Sequence, residues 1–418
     1  MKSLKIIFLI STLLILSACG QNTAGTPEKD VDTKEEAMPH VEDLGIGEID
    51  TTKQSVELSN LIFPTEMTQG DDGNCYYVRK KGKNKIVFYC NDGKEVIETK
   101  FKDDLDYIEG FVKYKKYIYI VLSPLVSNDA IACQMASINI ETGEWKYLFK
   151  QELFGDSQIF FYEDRIYYRE ADYSDVIYYN LQGKKMGSIH WETEDHGNQR
   201  DFNKERHIQM IVDGKIYYTM STLKREKVKE SGGNYLYSCN LDGTEEKKLV
   251  EYQRLGPITD KKKFVFSSNQ MSMDDKYIYV LERYWQGNSD LYRIPIKGGT
   301  IEKVTDRLVY DYKLNDSIIY FIEDYQLYKK NQDLKEETKV FEEPVENVFF
   351  AGGYLMLQGY DKEEMDGIND AFDLEIGVSD DYTADYYLVT LDGQLVSKME
   401  GTDVKYTGHH PGEEKWFE

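Results

Sequence analysis

The strongest constraint on this chain is that it repeats. Residues 211–250, IVDGKIYYTMSTLKREKVKESGGNYLYSCNLDGTEEKKLV, read as strand, Asp-Gly turn, aromatic strand, loop, second aromatic strand, Asp-Gly turn and last strand. Asp-Gly supplies the positive φ values that tight hairpins require. The apolar residues alternate with a period of two, as in IYYTM and YLYSCNL, which is the signature of sheets rather than helices. One such unit is a four-stranded antiparallel sheet.

The unit recurs along the chain. Aligned on the aromatic second strand, its anchors are Tyr76, Tyr119, Tyr167, Tyr217, Tyr279, Tyr320 and Leu355, separated by 43, 48, 50, 62, 41 and 35 residues. That is the period of propeller blades, not of helical repeats. A single four-stranded sheet cannot bury both faces, whereas sheets packed around a ring can. The expected fold is therefore all-β: a seven-bladed β-propeller, with six or eight blades as alternatives, four antiparallel strands per blade and almost no helix. With 34 Tyr and 18 Phe, the chain is rich in residues suited to half-buried strands, where the ring packs and the hydroxyl stays wet.

The first residues read differently. MKSLKIIFLISTLLILSACG has a basic start at Lys2 and Lys5 and an apolar run, Ile6 to Leu16, too short for a comfortable membrane span. Leu16-Ser17-Ala18-Cys19 resembles a bacterial lipobox. That resemblance implies a signal peptide over residues 1–18, lipidation of Cys19, and anchoring to the extracytoplasmic face of a bacterial cell membrane by acyl chains. Residues 19–53 are polar, acidic and aperiodic and read as a flexible linker reaching about 30–35 Å. The propeller is expected over 54–402 and a tail over 403–418.

Asp213-Gly214-Lys215-Ile216-Tyr217-Tyr218, Tyr235-Leu236-Tyr237 and Leu241-Asp242-Gly243-Thr244 also carry a family likeness, as does DLYRIPIKGGTIEKVT at 290–305. They resemble the bacterial propeller family of unknown function called DUF5050, described as like the propeller of the low-density-lipoprotein-receptor-related protein. The resemblance implies the fold and a cell-surface setting, and no catalytic residue. The stretch Asn139 to Trp145 is similar to one repeat of quinoprotein-type propellers.

The formal net charge of −24 repels phosphate backbones, so nucleic acid is excluded as a partner. No Gly-x-Ser-x-Gly elbow and no phosphate-cradling glycine loop is present. No cofactor is implied. Chemistry-bearing candidates are few. A two-residue turn at Gly82-Lys83 would set Cys75 opposite Cys90, within reach of a disulfide; two packed thiols are the alternative. Trp191, Tyr284 and Trp285 fall in loops and form a candidate platform for sugar or peptide, or else core. Asp366, Asp370 and Asp373 lie in an acidic insertion whose oxygen density suits Ca²⁺, or simply solvent. His196 and His207 match no zinc spacing. The reading is a non-catalytic module that binds a protein, peptide or glycan, with a propeller-hosted hydrolase or lyase as the alternative. Recognition is expected in the loops where the units differ.

Overall fold

The apolar alternation becomes seven separate four-stranded antiparallel blades in the computed structural model. The structure describes residues 38, 40–58, 67–90, 93–102, 104–124, 134–148, 158–169, 175–191, 205–221, 234–252, 270–283, 289–359 and 381–405. Blade 1 comprises Met67–Gln69, Cys75–Lys80, Lys85–Cys90 and Glu95–Lys100. Blade 2 comprises Leu105–Tyr114, Tyr117–Pro124, Gln134–Asn139 and Trp145–Tyr147. Blade 3 is built from Gln158–Tyr162, Arg165–Arg169, Val176–Asn180 and Lys185–Ile189. Blade 4 follows with Glu205–Val212, Lys215–Ser221, Asn234–Asn240 and Lys247–Tyr252. In blade 5 the strands are Gln270–Met273, Tyr277–Arg283, Ser289–Pro295 and Glu302–Lys303. Blade 6 has Val309–Asn315, Ile318–Glu323, Gln326–Asn331 and Glu337–Lys339. Blade 7 closes with Val345–Ala351, Tyr354–Gly359, Asp381–Thr390 and Leu395–Lys405. The described residues contain no helix.

All seven anchor residues sit on second strands, and none is more than 5% exposed. Their rings are packing between blades rather than a binding stripe. Each of the six described apolar clusters spans two neighbouring blades; one joins Phe88 and Phe111 of blades 1 and 2, another Tyr320 and Val348 of blades 6 and 7. Trp145 works the same way: its ring lies 4.6 Å from Phe101 and its Nε1 donates to the Lys100 carbonyl at 3.1 Å, so blade 2 docks on blade 1.

The ring closes without an exchanged strand. Blade 1 and blade 7 are each built from one continuous stretch of chain, and the Gly352 amide donates to the Gly73 carbonyl at 2.8 Å across the seam. Residues 54–58 precede blade 1 in the chain but do not pair with it. Instead Val56–Leu58 pairs with the first strand of blade 3, as Ile159↔Leu58 and Phe161↔Val56.

The expected linker also ends earlier than residue 53. His40–Val41 pairs with Gly299–Thr300 at the outer turn of blade 5. Val41, Leu44 and Ile46 are buried in the cluster shared by blades 4 and 5. Each such side chain contributes about 1.5–3 kcal/mol when withdrawn from water, so a segment that looks soluble by composition is tied down by a few well-spaced apolar residues. Residues 40–58 form a strap, fastened by the Leu44 amide on the Ile296 carbonyl at 3.0 Å and by the Ser55 amide on the Ile211 carbonyl at 2.7 Å.

Candidate functional site

Antiparallel order sends the connections of every blade to two opposite rims. Connections between strands 1 and 2, and between strands 3 and 4, lie on one rim. Those between strands 2 and 3, and from one blade to the next, lie on the other.

The first rim is stitched. Lys113, 6% exposed, donates to Asp71 at 3.0 Å and to Asp72 at 2.8 Å, joining blades 1 and 2. Its ammonium and the Tyr76 hydroxyl, which donates to Asp72 at 2.7 Å, outweigh burial and hold the Asp72 carboxyl below its ordinary range. Tyr114 donates to the Glu163 carbonyl at 2.8 Å, and Tyr162 accepts from the Gly214 amide at 2.8 Å, carrying the chain of contacts through blades 3 and 4. Second-strand tyrosines reach the next blade's outer turn: Tyr119 to the Leu181 carbonyl at 3.1 Å, Tyr320 to the Leu391 carbonyl at 3.2 Å. Glu163 and Asp164 are turn residues here, Glu163 at φ 50°.

The second rim carries the long connections. Residues 125–133, 222–233, 284–288 and 360–380 link second to third strands, and 149–157, 192–204 and 253–269 link blades; all leave from and return to this rim. We call it the loop rim.

The central channel joins the two. The strap enters it from the stitched rim, along the first strand of blade 4, where the Asp213 amide donates to the Lys53 carbonyl at 2.9 Å. It then adds Val56–Leu58 to the inner edge of blade 3 and points toward the loop rim. Glu57 is exposed to solvent inside the ring of surrounding blades. Enclosure pushes its carboxyl up to about 8, and Lys313 of blade 6 opposes the shift. Lys313 itself is held by Asp311 at 3.2 Å and lies 5.7 Å from the Phe349 ring. The Asp311 carboxylate also accepts from the Val348 amide at 3.1 Å, so blades 6 and 7 share it. Glu346 sits at a β-bulge in the first strand of blade 7. Burial raises its carboxyl to about 7, against a hydrogen bond from Gln358. Bulges re-aim single side chains and are frequent beside functional sites. The Glu57 and Glu346 carboxyls are thus both held above the ordinary carboxylate range. Sequence reading missed both; the only signal was a lone carboxylate breaking the apolar runs SVEL and PVENV.

The residues singled out by sequence fare unevenly. Trp191 is 6% exposed, its ring 4.9 Å from Tyr218 and flanked by the guanidinium carbons of Arg169 at 5.2 Å and Arg206 at 5.6 Å. It packs between blades 3 and 4 and presents no open face, so it is not part of a surface platform. Tyr284 and Trp285 lie outside the described residues, as do Cys19, His196, Asp366, Asp370 and Asp373. No disulfide joins Cys75 and Cys90. Their hairpin pairs Tyr76 with Cys90, one residue away from the expected register. The loop is three residues, 82–84, closed by the Lys81 amide on the Lys85 carbonyl at 2.8 Å. One residue of slip puts Cys75 and Cys90 on opposite faces of the sheet. Burial pushes the Cys75 thiol well up, with the Cys90 charge adding to it, so it is an inert packed group. Exposed His190 pairs with Asp175 at 2.9 Å.

No family model and no curated protein matches the chain. Solved structures do. A Mycobacterium tuberculosis puromycin-hydrolyzing peptidase matches at 10% identity and TM-score 0.43, over 89% of this chain and 56% of that one. Pyrococcus horikoshii acylaminoacyl peptidase matches at 14% identity and TM-score 0.42, over 80% of this chain and 51% of its own. The chain thus spans about half the length of these two peptidases. Kluyveromyces lactis Hsv2p matches at 9% identity and TM-score 0.39, over 80% of this chain and 97% of its own. At such identity these likenesses concern the fold alone.

Proposed function

We propose that this chain is a non-catalytic binding module, anchored through a lipid on Cys19 to the extracytoplasmic face of a bacterial cell membrane, that recognises a protein, peptide or glycan at its loop rim. The observation that carries the reading is the asymmetry of the rims. Long, unequal connections gather on one, and function concentrates on such connections when a rigid scaffold positions them. The other rim is consumed by blade-to-blade contacts and by the strap.

Loop replacement tests this. Substituting residues 222–233 or 284–288 with Gly-Ser stretches of equal length is expected to abolish capture of the surface partner by crosslinking on intact cells. Lys115→Ala and Asp316→Ala, on the stitched rim, are expected to leave capture intact. Equal capture by all four variants would count against the loop rim. Anchoring is read separately, as loss of incorporated palmitate analogue in Cys19→Ala.

The channel carboxyls favour a second reading, a hydrolase or lyase acting on extracellular glycans or peptides. Elevated carboxyls suit general acid–base work. That reading requires turnover by the intact chain that disappears in Glu346→Gln.

A further inference from the structure

We infer that the stitched rim carries a second, small-molecule site for a neutral polyol of monosaccharide size, in the cleft between the strap and blade 4. The cleft has a volume of about 320 Å³. It is floored by Val212, Tyr217, Ser238 and Leu249, and roofed by strap residues 45–49.

The argument starts from a break in the repeat. Where the second-strand anchor is tyrosine, its hydroxyl is usually spent: Tyr76 on Asp72, Tyr279 on Asp274 at 2.9 Å, Tyr119 and Tyr320 on carbonyls of the next blade. Tyr217 is the exception. It is 2% exposed, lines the cleft, and its hydroxyl has no hydrogen-bond partner among the described residues. The strap is the cause. Val41, Leu44 and Ile46 wedge between blades 4 and 5 and join the cluster that holds the Tyr217 ring. Directly across the strand pair from Tyr217 stands Ser238, 5% exposed, which also lines the cleft and has no side-chain partner among the described residues. Two hydroxyls that line the cleft without a protein partner, neither of them sealed from solvent, are left for water or a ligand to serve.

The charges define the ligand class. Lys215 lies 3.9 Å from Glu245 and 3.1 Å from the Asn240 side chain. Lys247 is spent on the Leu44 carbonyl at 2.8 Å, and Asp213 faces Lys53 at 3.9 Å. Glu48, Asp213 and Glu245 are matched in number by Lys53, Lys215 and Lys247, so the cleft offers no net charge to an ionic ligand. Burial and the Asp213 charge push the Tyr217 hydroxyl up to about 12, so it stays a neutral donor and acceptor. Apolar patches from Ile46, Ile49 and Leu249 lie beside these hydroxyls. Alternating hydroxyl partners beside apolar patches match the hydroxyls and C–H face of a pyranose.

The test uses the full chain with methyl α-glucoside and methyl N-acetyl-β-glucosaminide, read by saturation-transfer NMR and calorimetric titration. At least one is expected to bind, and Tyr217→Phe is expected to weaken it about tenfold, as loss of one buried hydrogen bond does. Because the hydroxyl makes no bond in the free protein, Tyr217→Phe should leave the melting temperature unchanged, whereas Tyr119→Phe should lower it and leave binding unchanged. No transfer to either glycoside at about 10 mM, or binding indifferent to Tyr217→Phe, overturns the site. So does a Tyr217→Phe protein as destabilised as Tyr119→Phe, since the hydroxyl would then be structural. The cleft lies on the rim opposite the proposed partner surface, so either reading can fail alone.

Discussion

The two rims are made from the same repeat and end up doing opposite things. On the stitched rim the turns are short, and several of the turns between third and fourth strands touch the preceding blade or the strap. Gly183 packs against the Leu148 carbonyl of blade 2, Gly298 against the strap backbone at Asp43, and Gly393 against the Val340 carbonyl after blade 6. A Cβ added at Gly82 on the loop rim would meet nothing within 4 Å, and the same holds at Gly73, Gly214 and Gly353 in turns between first and second strands. Where loop-rim connections are short they too are held: around blade 6, Arg307 pairs with Glu323 and Glu337. The lesson is that a propeller separates its labour by strand direction. One rim keeps the blades in register, and sequence there is constrained by neighbours. The other is free to differ from blade to blade.

Glycine substitutions break this comparison most sharply. Gly393 is at φ 85° and a Cβ would collide with the Val340 carbonyl, so Gly393→Ala is expected to destabilise by about 3 kcal/mol. Gly82→Ala, at φ 78° in open space, is expected to cost about 1 kcal/mol for the backbone conformation alone. Urea unfolding of the two variants checks the difference; equal losses would mean that contact with the neighbouring blade does not constrain the turn.

Smaller effects come from single stitches. Tyr119→Phe and Tyr320→Phe each remove one blade-to-blade hydrogen bond and are expected to cost about 1 kcal/mol in the same assay.

The smallest concerns the strap and pH. The Glu57 carboxyl is raised to about 8 by enclosure in the channel, from an ordinary 4.5. The folded protein therefore holds this proton more tightly than the unfolded chain does. Its stabilising effect is complete below about pH 4.5 and is lost as pH rises through about 8. Because the side chain keeps access to water, the effect on stability is about 1 kcal/mol, well below what the shift alone would imply. Glu57→Gln should flatten the decline in melting temperature between pH 5 and pH 8.5, and should be the more stable protein at the upper end. An unchanged pH profile would place Glu57 in open solvent.

What could be read from sequence divides along the same line as the rims. The second-strand anchors, six tyrosines and Leu355, marked every blade, because a second strand buried on both faces tolerates few residue types. The strap was not legible. Residues 38–53 carry Val41, Leu44, Ile46 and Ile49 among acids and glycines, with neither a period of two nor of 3.6, because each apolar side chain answers to a different neighbour in blades 4 and 5. Register failed by one residue at Cys75 and Cys90, since a three-residue loop replaced the expected two. Trp191 looked like a platform from its place in a connecting segment, yet Tyr218 and two arginines enclose it. The channel carboxyls were invisible because a bulge, not a motif, aims Glu346, and a distant segment brings in Glu57.

Recognition at the loop rim is best tested by photocrosslinking from single exposed sites on intact cells. A photoreactive residue at Lys83 or Asp324, both exposed on the loop rim, should yield the partner adduct. The same residue at Asp275 or Asp316, both exposed on the stitched rim, should yield none. Adducts from Asp275 and Asp316, with none from Lys83 and Asp324, would contradict the account.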